Sequence, residues 1–134
     1  MTPEATLFLA KAADLHARAQ KMLEVGLAED AGREAYLAGF HAAQALIFER
    51  TGRSARTHKG VQAEFQRLTQ GDARFNAELR SFLSTAYNLK SIADYEAGPA
   101  SPVNSERAAA AVAEAGHFVA HVQSLIETIG SRPD

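Results

Sequence analysis

The 134-residue chain has an ordinary globular composition, with 46% hydrophobic and 22% charged residues, and this balance excludes wholesale disorder. The chain contains no cysteine, which excludes disulfides and thiolate metal sites and fits a reducing compartment. The formal net charge of −2 argues against a generally basic nucleic-acid-binding coat but leaves room for a local basic patch.

The sequence shows no pattern for secretion or membrane insertion. The first ten residues carry Glu4 and no basic n-region, so we expect no secretory signal there. No stretch approaches ~18 uninterrupted apolar residues, so we expect no membrane span and a cytoplasmic location. There is no internal repeat and no long linker, which predicts one domain over residues 1–134.

The predicted fold is an all-α antiparallel bundle. Abundant alanine, sparse valine and isoleucine and the absence of long alternating stretches favour helices over strands. Short loops predict antiparallel neighbours, giving an up-and-down bundle of about five helices, a four-helix core plus a short helix. The predicted helices run from about Pro3 to Val25, Glu29 to Thr51, His58 to Thr69, the cap Asp72 to about Tyr95, and Ser101 or Asn104 to Ile129.

Local signals within these helices predict how they begin and pack. Thr2, Thr57 and Asp72 are expected N-caps for the first, third and fourth helices. Residues 35–48 are apolar on nearly every face, which predicts that the second helix is central and buried. Gly39 lowers helix propensity there, so we predict close approach by another helix.

Polar groups converge at the end of the predicted fourth helix. Helical spacing places Lys90 and Asp94 on one face, with Asn88 and Tyr95 on an adjacent strip. In a phosphate-binding site, Lys90 would neutralise the phosphate charge and Asp94 would orient the phosphate or accept a proton. Tyr95 would form a hydrogen bond with the ligand or stack on it. The simpler interpretation is a surface i,i+4 ion pair, with Tyr95 packed on the next helix.

The loop before the predicted third helix concentrates positive charge, and no acidic residue occurs from position 51 to position 62. Such a patch is suited to phosphate contacts, and a helix N-terminus adds backbone donors. A solvated loop is the alternative. The basic residues are Arg50, Arg53, Arg56, His58 and Lys59.

Two further groups contain histidine. His41 and Gln44 interrupt the apolar second helix, and a structural hydrogen bond of His41 is favoured over catalysis. Glu114, His117 and His121 share one face of the last helix. Two imidazoles and a carboxylate can bind a metal, but with no further ligand in the pattern a solvated face is favoured and no metal site is predicted.

Three segments resemble the HEPN family and occur in the family's order. Segment 35–46, AYLAGFHAAQAL, is similar to the family's A-Y-Y-A-x-F-H-A-A-x-A-L helix. Segment 57–61, THKGV, resembles the opening of its third helix, and segment 86–96, AYNLKSIADYE, resembles its A-F-x-L-R-x-x-A-D-Y-E segment. With the flanking helices, the resemblance covers nearly the whole chain and points to the small stand-alone branch of the family.

The resemblance implies a homodimer with a polar cleft where the subunits meet. Many relatives are the toxin half of a toxin–antitoxin pair, encoded beside a minimal nucleotidyltransferase. The better-understood toxins are metal-independent ribonucleases with the signature R-x4-6-H, so the resemblance implies RNA or a nucleotide as ligand and no cofactor. In some pairs the nucleotidyltransferase adenylylates a tyrosine near that motif.

This chain departs from the signature at both of its positions. Lys90 stands in place of arginine, and lysine keeps the charge but loses the planar two-pronged grip on phosphate. Tyr95 stands in place of histidine, and a phenol is a poor base at neutral pH unless it is strongly perturbed. His41 is the family-matching histidine that would substitute in catalysis, and Tyr95 is a candidate for adenylylation.

The leading hypothesis is therefore a toxin-like HEPN partner of a minimal nucleotidyltransferase, which binds RNA in a dimer cleft and is a candidate ribonuclease. The alternative is a non-catalytic nucleotide-binding or nucleotidyltransferase-docking module, and a third hypothesis is a structural helical adaptor. The candidate catalytic residues are Lys90, Asp94, Tyr95 and His41, and the candidate nucleotide or RNA contacts are Arg53, Arg56, His58, Lys59 and Asn88.

Overall fold

The computed structural model describes residues 1–95 and 103–130, with the side chains of residues 93, 95 and 129 outside this description. The described residues form helices and contain no strand, which confirms the all-α prediction. None of the helices in this part of the chain is long and apolar enough to cross a membrane. The helices are α1 (Pro3–Glu24), α2 (Ala28–Thr51), α3 (His58–Thr69), α4 (Ala77–Tyr95) and α5 (Ser105–Gly130).

The second helix lies at the centre of the bundle, as its sequence predicts. α2 packs against each of the other four helices. Its buried positions run from Ala31 to Ile47 and occupy nearly every face of the helix. A helix with apolar residues on all sides gains most when it is surrounded, because each face then removes apolar surface from water.

α2 and α4 run antiparallel and approach each other closely. Gly32 faces Leu89, whereas Gly39 faces Phe82, so the two chain directions are opposed. A Cβ atom at Gly39 would overlap the Phe82 ring. Glycine therefore permits the contact that the sequence predicted at this position, and the loss of helix propensity is offset by packing.

α1 and α5 close the bundle around α2. The backbone N–H of Thr2 donates to Glu49 Oε1 at 2.8 Å, which places the start of α1 against the end of α2. In the core, the Phe118 ring of α5 lies 5.3 Å from the Phe65 ring and 5.0 Å from the Phe82 ring between centroids. These aromatic contacts join α3, α4 and α5 into one core.

Three of the helix N-termini agree with the sequence prediction. Thr2 Oγ1 accepts a hydrogen bond from the Ala5 backbone N–H at 3.1 Å. Thr57 Oγ1 accepts one from Gly60 at 2.9 Å, and Asn104 Oδ1 accepts one from Arg107 at 2.8 Å. The other predicted start of α5, Ser101, lies outside the described residues.

The predicted cap of the fourth helix is wrong. α4 begins at Ala77, where Asn76 Oδ1 accepts a hydrogen bond from Leu79 N–H at 2.8 Å. Asp72 instead accepts from the Arg74 backbone N–H at 2.9 Å, and its carboxylate lies 2.7 Å from the Arg74 guanidinium. Because a short aspartate side chain can stabilise a turn as well as a helix start, the spacing alone could not distinguish the two. The intervening turn buries Phe75 in the core.

Candidate functional site

Polar and aromatic side chains gather where the middle of α2, the start of α3 and the second half of α4 meet. Helical spacing in α2 places Arg33, Tyr36 and Phe40 on neighbouring turns that face this region. The Thr57 cap fixes the first turn of α3 and thereby positions His58. We call this the His58 cluster, and it consists of Arg33, Tyr36, Phe40, His58, Tyr87, Lys90 and Asp94.

The imidazole of His58 is held by one hydrogen bond and three aromatic rings. The Tyr36 hydroxyl lies 2.8 Å from Nδ1 of His58. The ring centroids of Tyr36, Phe40 and Tyr87 lie 5.5, 5.0 and 5.5 Å from that of His58. Because Tyr36 occupies Nδ1, the nitrogen that remains for a ligand is Nε2.

The surroundings of His58 favour its neutral form. Burial lowers the pKa of His58 below its usual value, the nearby Lys90 ammonium lowers it further, and Asp94 opposes them. The imidazole is therefore mostly neutral at pH 7. A neutral imidazole can accept a proton from a bound substrate.

Tyr36 is a hydrogen-bond partner of the imidazole and not a base. Burial raises the pKa of Tyr36 to about 12, a hydrogen bond from Gln62 opposes this shift, and Tyr87 adds to it. The phenol therefore keeps its proton at neutral pH. Its role in the cluster is to fix the orientation of the His58 ring.

Two cations share one carboxylate beside the imidazole. Lys90 Nζ lies 2.6 Å from Asp94 Oδ2, and Arg33 Nη1 lies 3.8 Å from Asp94 Oδ1. Lys90 also lies 5.9 Å from the Tyr87 ring centroid, within cation–π range. With His58 neutral, the charged groups of the cluster that the structure describes, Arg33, Lys90 and Asp94, sum to a net charge of about +1, which favours an anionic ligand such as a phosphodiester.

The structure therefore brings together some of the predicted site residues and leaves others apart. Lys90 and His58 lie on either side of the contact made by Tyr87, whose ring centroid is 5.9 Å from the ammonium nitrogen and 5.5 Å from the imidazole centroid, and Asp94 is paired with Lys90. Tyr95 is the last residue of α4, and its side chain lies outside the described residues. The remaining candidates are exposed on the surrounding surface: Arg53, Arg56, Lys59 and Asn88.

His41 has structural partners of its own. Its Nδ1 lies 2.6 Å from Gln44 Oε1, and Gln44 Nε2 donates to the Ala55 carbonyl at 2.7 Å. Burial lowers the pKa of His41, Gln44 opposes this, and Lys11 adds to it. None of the described contacts joins His41 to Lys90, so its geometry fits the structural interpretation, in which it and Gln44 anchor the loop before α3.

Sequence reasoning missed Arg33 and Tyr36 as members of the site. It also assigned His58 to the basic loop and not to the same site as Lys90. The available signal was the position of Tyr36 inside the AYLAGF segment, three residues after Arg33 and four before Phe40, which places all three on one side of α2. No periodicity in the sequence connects that face to His58.

The histidine face of α5 does not form a metal-binding group. In residues 1–95 and 103–130, no set of three or more histidine, cysteine, aspartate or glutamate side chains is arranged to hold a metal ion. Glu114, His117 and His121 instead line a pocket between α4 and α5.

Comparison with known proteins identifies the family. The sequence model of the HEPN domain family matches residues 5–125, so the chain belongs to the HEPN family. HEPN domains are generally connected with ribonuclease activity or nucleotide binding. The chain is similar to the crystal structure of TT1696 from Thermus thermophilus, with a TM-score of 0.76 and 22% identity, over 92% of this chain and 98% of that one. That likeness shows the fold alone. No curated protein matches the chain.

Proposed function

We propose that this HEPN protein binds RNA at the His58 cluster and cleaves it by attack of a ribose 2′-hydroxyl on the adjacent phosphorus. The observation that carries the proposal is the position of His58, which shares the Tyr87 ring with Lys90. The family signature requires a cation and a histidine, and position 95 holds tyrosine. His58 supplies an imidazole to the same site from a different helix.

The family signature has an arginine where this chain has Lys90, and Arg33 of α2 can supply a guanidinium to the same site. Arg33 contacts Asp94 only loosely, at 3.8 Å, and 39% of its side chain is exposed. The side chain can therefore turn toward a bound phosphate, where a planar guanidinium donates two hydrogen bonds. Lys90 and Arg33 together would balance the negative charge of the phosphodiester.

The proposed reaction uses His58 as the base. In the tautomer in which Nδ1–H donates to the Tyr36 oxygen, Nε2 takes the proton of the 2′-hydroxyl. The 2′-oxygen forms a bond to phosphorus while the bond from phosphorus to the 5′-oxygen breaks. The leaving 5′-oxygen takes a proton from water, and the hydroxide that remains takes the proton from Nε2 of His58, which restores the neutral imidazole. The products are a 2′,3′-cyclic phosphate and a 5′-hydroxyl, and the cations stabilise the charge on the phosphoryl oxygens.

The surface around the start of α3 is the proposed path of the RNA backbone. Arg53, Arg56 and Lys59 are exposed, and none of the three forms an ion pair with a described residue. Cations without an ion-pair partner bind phosphates more weakly as the salt concentration rises. Substitution of one of them should therefore reduce the slope of the logarithm of the RNA-binding constant against the logarithm of the salt concentration by about 1. Asn88 is a further proposed contact on α4.

We further propose that the protein acts as a homodimer and as the toxin half of a pair with a minimal nucleotidyltransferase, with Tyr95 as the site of adenylylation. The family resemblance of segments 35–46, 57–61 and 86–96 supports this part of the proposal. Co-expression with a nucleotidyltransferase encoded beside the gene tests it. The expected results are a stable complex and a mass increase of one adenylyl group that Tyr95→Phe abolishes.

The decisive experiment measures cleavage of a single-stranded RNA by the purified chain in the presence of a metal chelator. We expect fragments that end in a cyclic phosphate. His58→Gln and Lys90→Ala should each lower the rate by about 100-fold or more, the usual contribution of a positioned acid–base group or charge clamp. Lys11→Ala, which removes an exposed lysine from α1, is the matched control and should leave the rate unchanged.

Other outcomes would contradict parts of this proposal. Undiminished cleavage by His58→Gln would exclude His58 as the base. RNA that stays intact, with nucleotides raising the melting temperature of the protein, would instead support the non-catalytic binding module, because a ligand at 100 times its Kd stabilises the folded state by ~2.7 kcal/mol.

A further inference from the structure

One carboxylate in the His58 cluster joins cations from two helices. Lys90 Nζ lies 2.6 Å from Oδ2 of Asp94, and Arg33 Nη1 lies 3.8 Å from Oδ1. Each oxygen of the carboxylate therefore has its own cation, one from α4 and one from α2. A phosphodiester also presents charged oxygens to cations, so Asp94 resembles the ligand that Lys90 and Arg33 are proposed to hold.

This bridge between the two cations is accessible to solvent. The side chain of Asp94 is 25% exposed, and those of Lys90 and Arg33 are 18% and 39% exposed. The Arg33 distance of 3.8 Å exceeds that of a hydrogen bond, whereas the Lys90 distance does not. An anion that arrives from solvent can thus reach the bridge, and the contact with Arg33 is the easier one to displace.

The stability of α4 does not account for an acid at this position. Asp94 lies in the last turn of α4, where the negative end of the helix dipole disfavours a carboxylate. Lys90 precedes Asp94, and a cation followed four residues later by an acid is the less favourable order for such a pair. The carboxylate is therefore stabilised by the cations of the cluster and not by the helix that carries it.

Asp94 also acts on the imidazole of the cluster. Burial lowers the pKa of His58 and the Lys90 ammonium lowers it further, whereas the Asp94 carboxylate raises it. Removal of the carboxylate charge should therefore lower the pKa of His58 in the free protein. This change can be measured without any ligand.

We infer that Asp94 is an internal competitor of the phosphate at the His58 cluster. In the free protein its carboxylate holds Lys90 and Arg33, and the phosphodiester of RNA binds by displacing it into solvent. The inference rests on the proposed function, which assigns these two cations to the phosphate. Asp94 therefore keeps the affinity for RNA below the value that the two cations alone would give. A carboxylate that only positioned the cations would have the opposite effect, because its removal would weaken binding.

The test is binding of the dinucleotide thymidylyl-thymidine to the full chain, measured by calorimetry. This probe carries one phosphodiester and no 2′-hydroxyl, so it reports on binding without cleavage. Asp94→Asn keeps the size of the side chain and an oxygen that accepts from Lys90. The variant should lower Kd about tenfold, because the ligand no longer displaces a charge-assisted hydrogen bond.

Two further variants locate the effect. Asp14→Asn makes the same charge change at an exposed position of α1 and should leave Kd unchanged. Lys90→Ala added to Asp94→Asn should abolish the gain in affinity, because the phosphate then lacks the cation that Asp94 had occupied. An NMR titration of the His58 ring, assigned with His58→Gln, should give a lower pKa in Asp94→Asn than in the original protein.

Several results would overturn the inference. Equal or weaker binding of the dinucleotide by Asp94→Asn, or no binding by either protein, would show that the carboxylate is not a competitor. An equal gain in Asp14→Asn would show that only the overall charge matters. An unchanged pKa of His58 in Asp94→Asn would show that the carboxylate does not act on the cluster in solution.

The RNA cleavage assay, run in parallel, separates this inference from the proposed function. Tighter binding of the dinucleotide by Asp94→Asn together with intact RNA would support the competitor and contradict the ribonuclease. Cleavage by the original protein, with no gain in dinucleotide affinity in Asp94→Asn, would contradict the competitor alone.

Discussion

The Tyr36 hydroxyl is hydrogen-bonded to Nδ1 of His58 at 2.8 Å, although the two residues lie 22 positions apart. The bond joins the centre of α2 to the first residue of α3. It sets the direction of the imidazole and leaves Nε2 for a substrate. A buried phenol that keeps its proton thus acts as the positioning group for an imidazole at the edge of the bundle.

Removal of that hydroxyl tests the positioning role of Tyr36. Tyr36→Phe keeps the ring in the core but leaves His58 without its partner. We expect a loss of about 1 kcal/mol in the free energy of unfolding, the net value of one hydrogen bond. The cleavage rate should fall about tenfold, because the imidazole is less well oriented. Urea titration and the RNA assay measure the two effects, and an unchanged rate would show that the hydroxyl does not orient the ring for catalysis.

The stability of the protein should fall in mild acid because of two histidines. The pKa values of His41 and His58 are both lowered in the folded state, in each case mainly by burial. As the pH falls below the usual histidine pKa of 6.5, these histidines bind protons in the unfolded chain before they do so in the folded one. The free energy of unfolding therefore has its full value above this pH and decreases below it.

Urea unfolding at about pH 7.5 and about pH 5.5 measures this difference. The double variant His41→Gln/His58→Gln should show a flatter dependence of stability on pH, because neither glutamine titrates. An equally steep dependence in the double variant would mean that other groups cause the acid sensitivity.

The contact between Gly39 and Phe82 predicts opposite outcomes for two glycine substitutions in α2. Gly39→Ala places a methyl group where the Phe82 ring lies and should destabilise the protein by about 1–3 kcal/mol. A Cβ at Gly32 would lie 3.6 Å from Leu89 and Val103, an ordinary contact. Gly32→Ala should therefore be neutral or stabilise the helix by up to about 1 kcal/mol. Thermal unfolding should give a lower melting temperature for Gly39→Ala than for Gly32→Ala. A lower melting temperature for Gly32→Ala would contradict the packing of α2 against α4.

The N-cap of α4 gives a fourth prediction. Asn76→Ala removes the acceptor of the Leu79 N–H and should lower the free energy of unfolding by about 1 kcal/mol. Asn76→Asp and Asn76→Ser retain an acceptor at the same place and should stay within about 0.5 kcal/mol of the original protein. If all three variants were equally stable, Asn76 would not be the functional cap.

Much of the fold follows from local chemistry and could be predicted from the sequence. Thr57 and Gly52 bracket the loop before α3, and the observed α3 begins and ends where the pattern placed it, at His58 and Thr69. The start of α4 was misplaced because two side chains of similar chemistry, Asp72 and Asn76, compete for one role. Burial of Phe75 keeps the chain in a turn between them.

The candidate site was only partly accessible to the same reasoning. Lys90 and Asp94 are one helical turn apart, so their ion pair followed from spacing. Arg33 is on another helix and joins the same carboxylate only in the folded chain. His58 was grouped with its neighbours in the basic loop because sequence proximity was the only available guide.

The sequence by itself determined the helices α1 to α5 of the described residues and the central position of α2, because capping residues, helix propensity and apolar periodicity act over a few residues. Only the tertiary structure decided that His58 meets Tyr36 and Lys90. That meeting depends on the angle at which α3 docks across α2 and α4, and this angle results from the packing of side chains distant in the sequence, which no local pattern specifies.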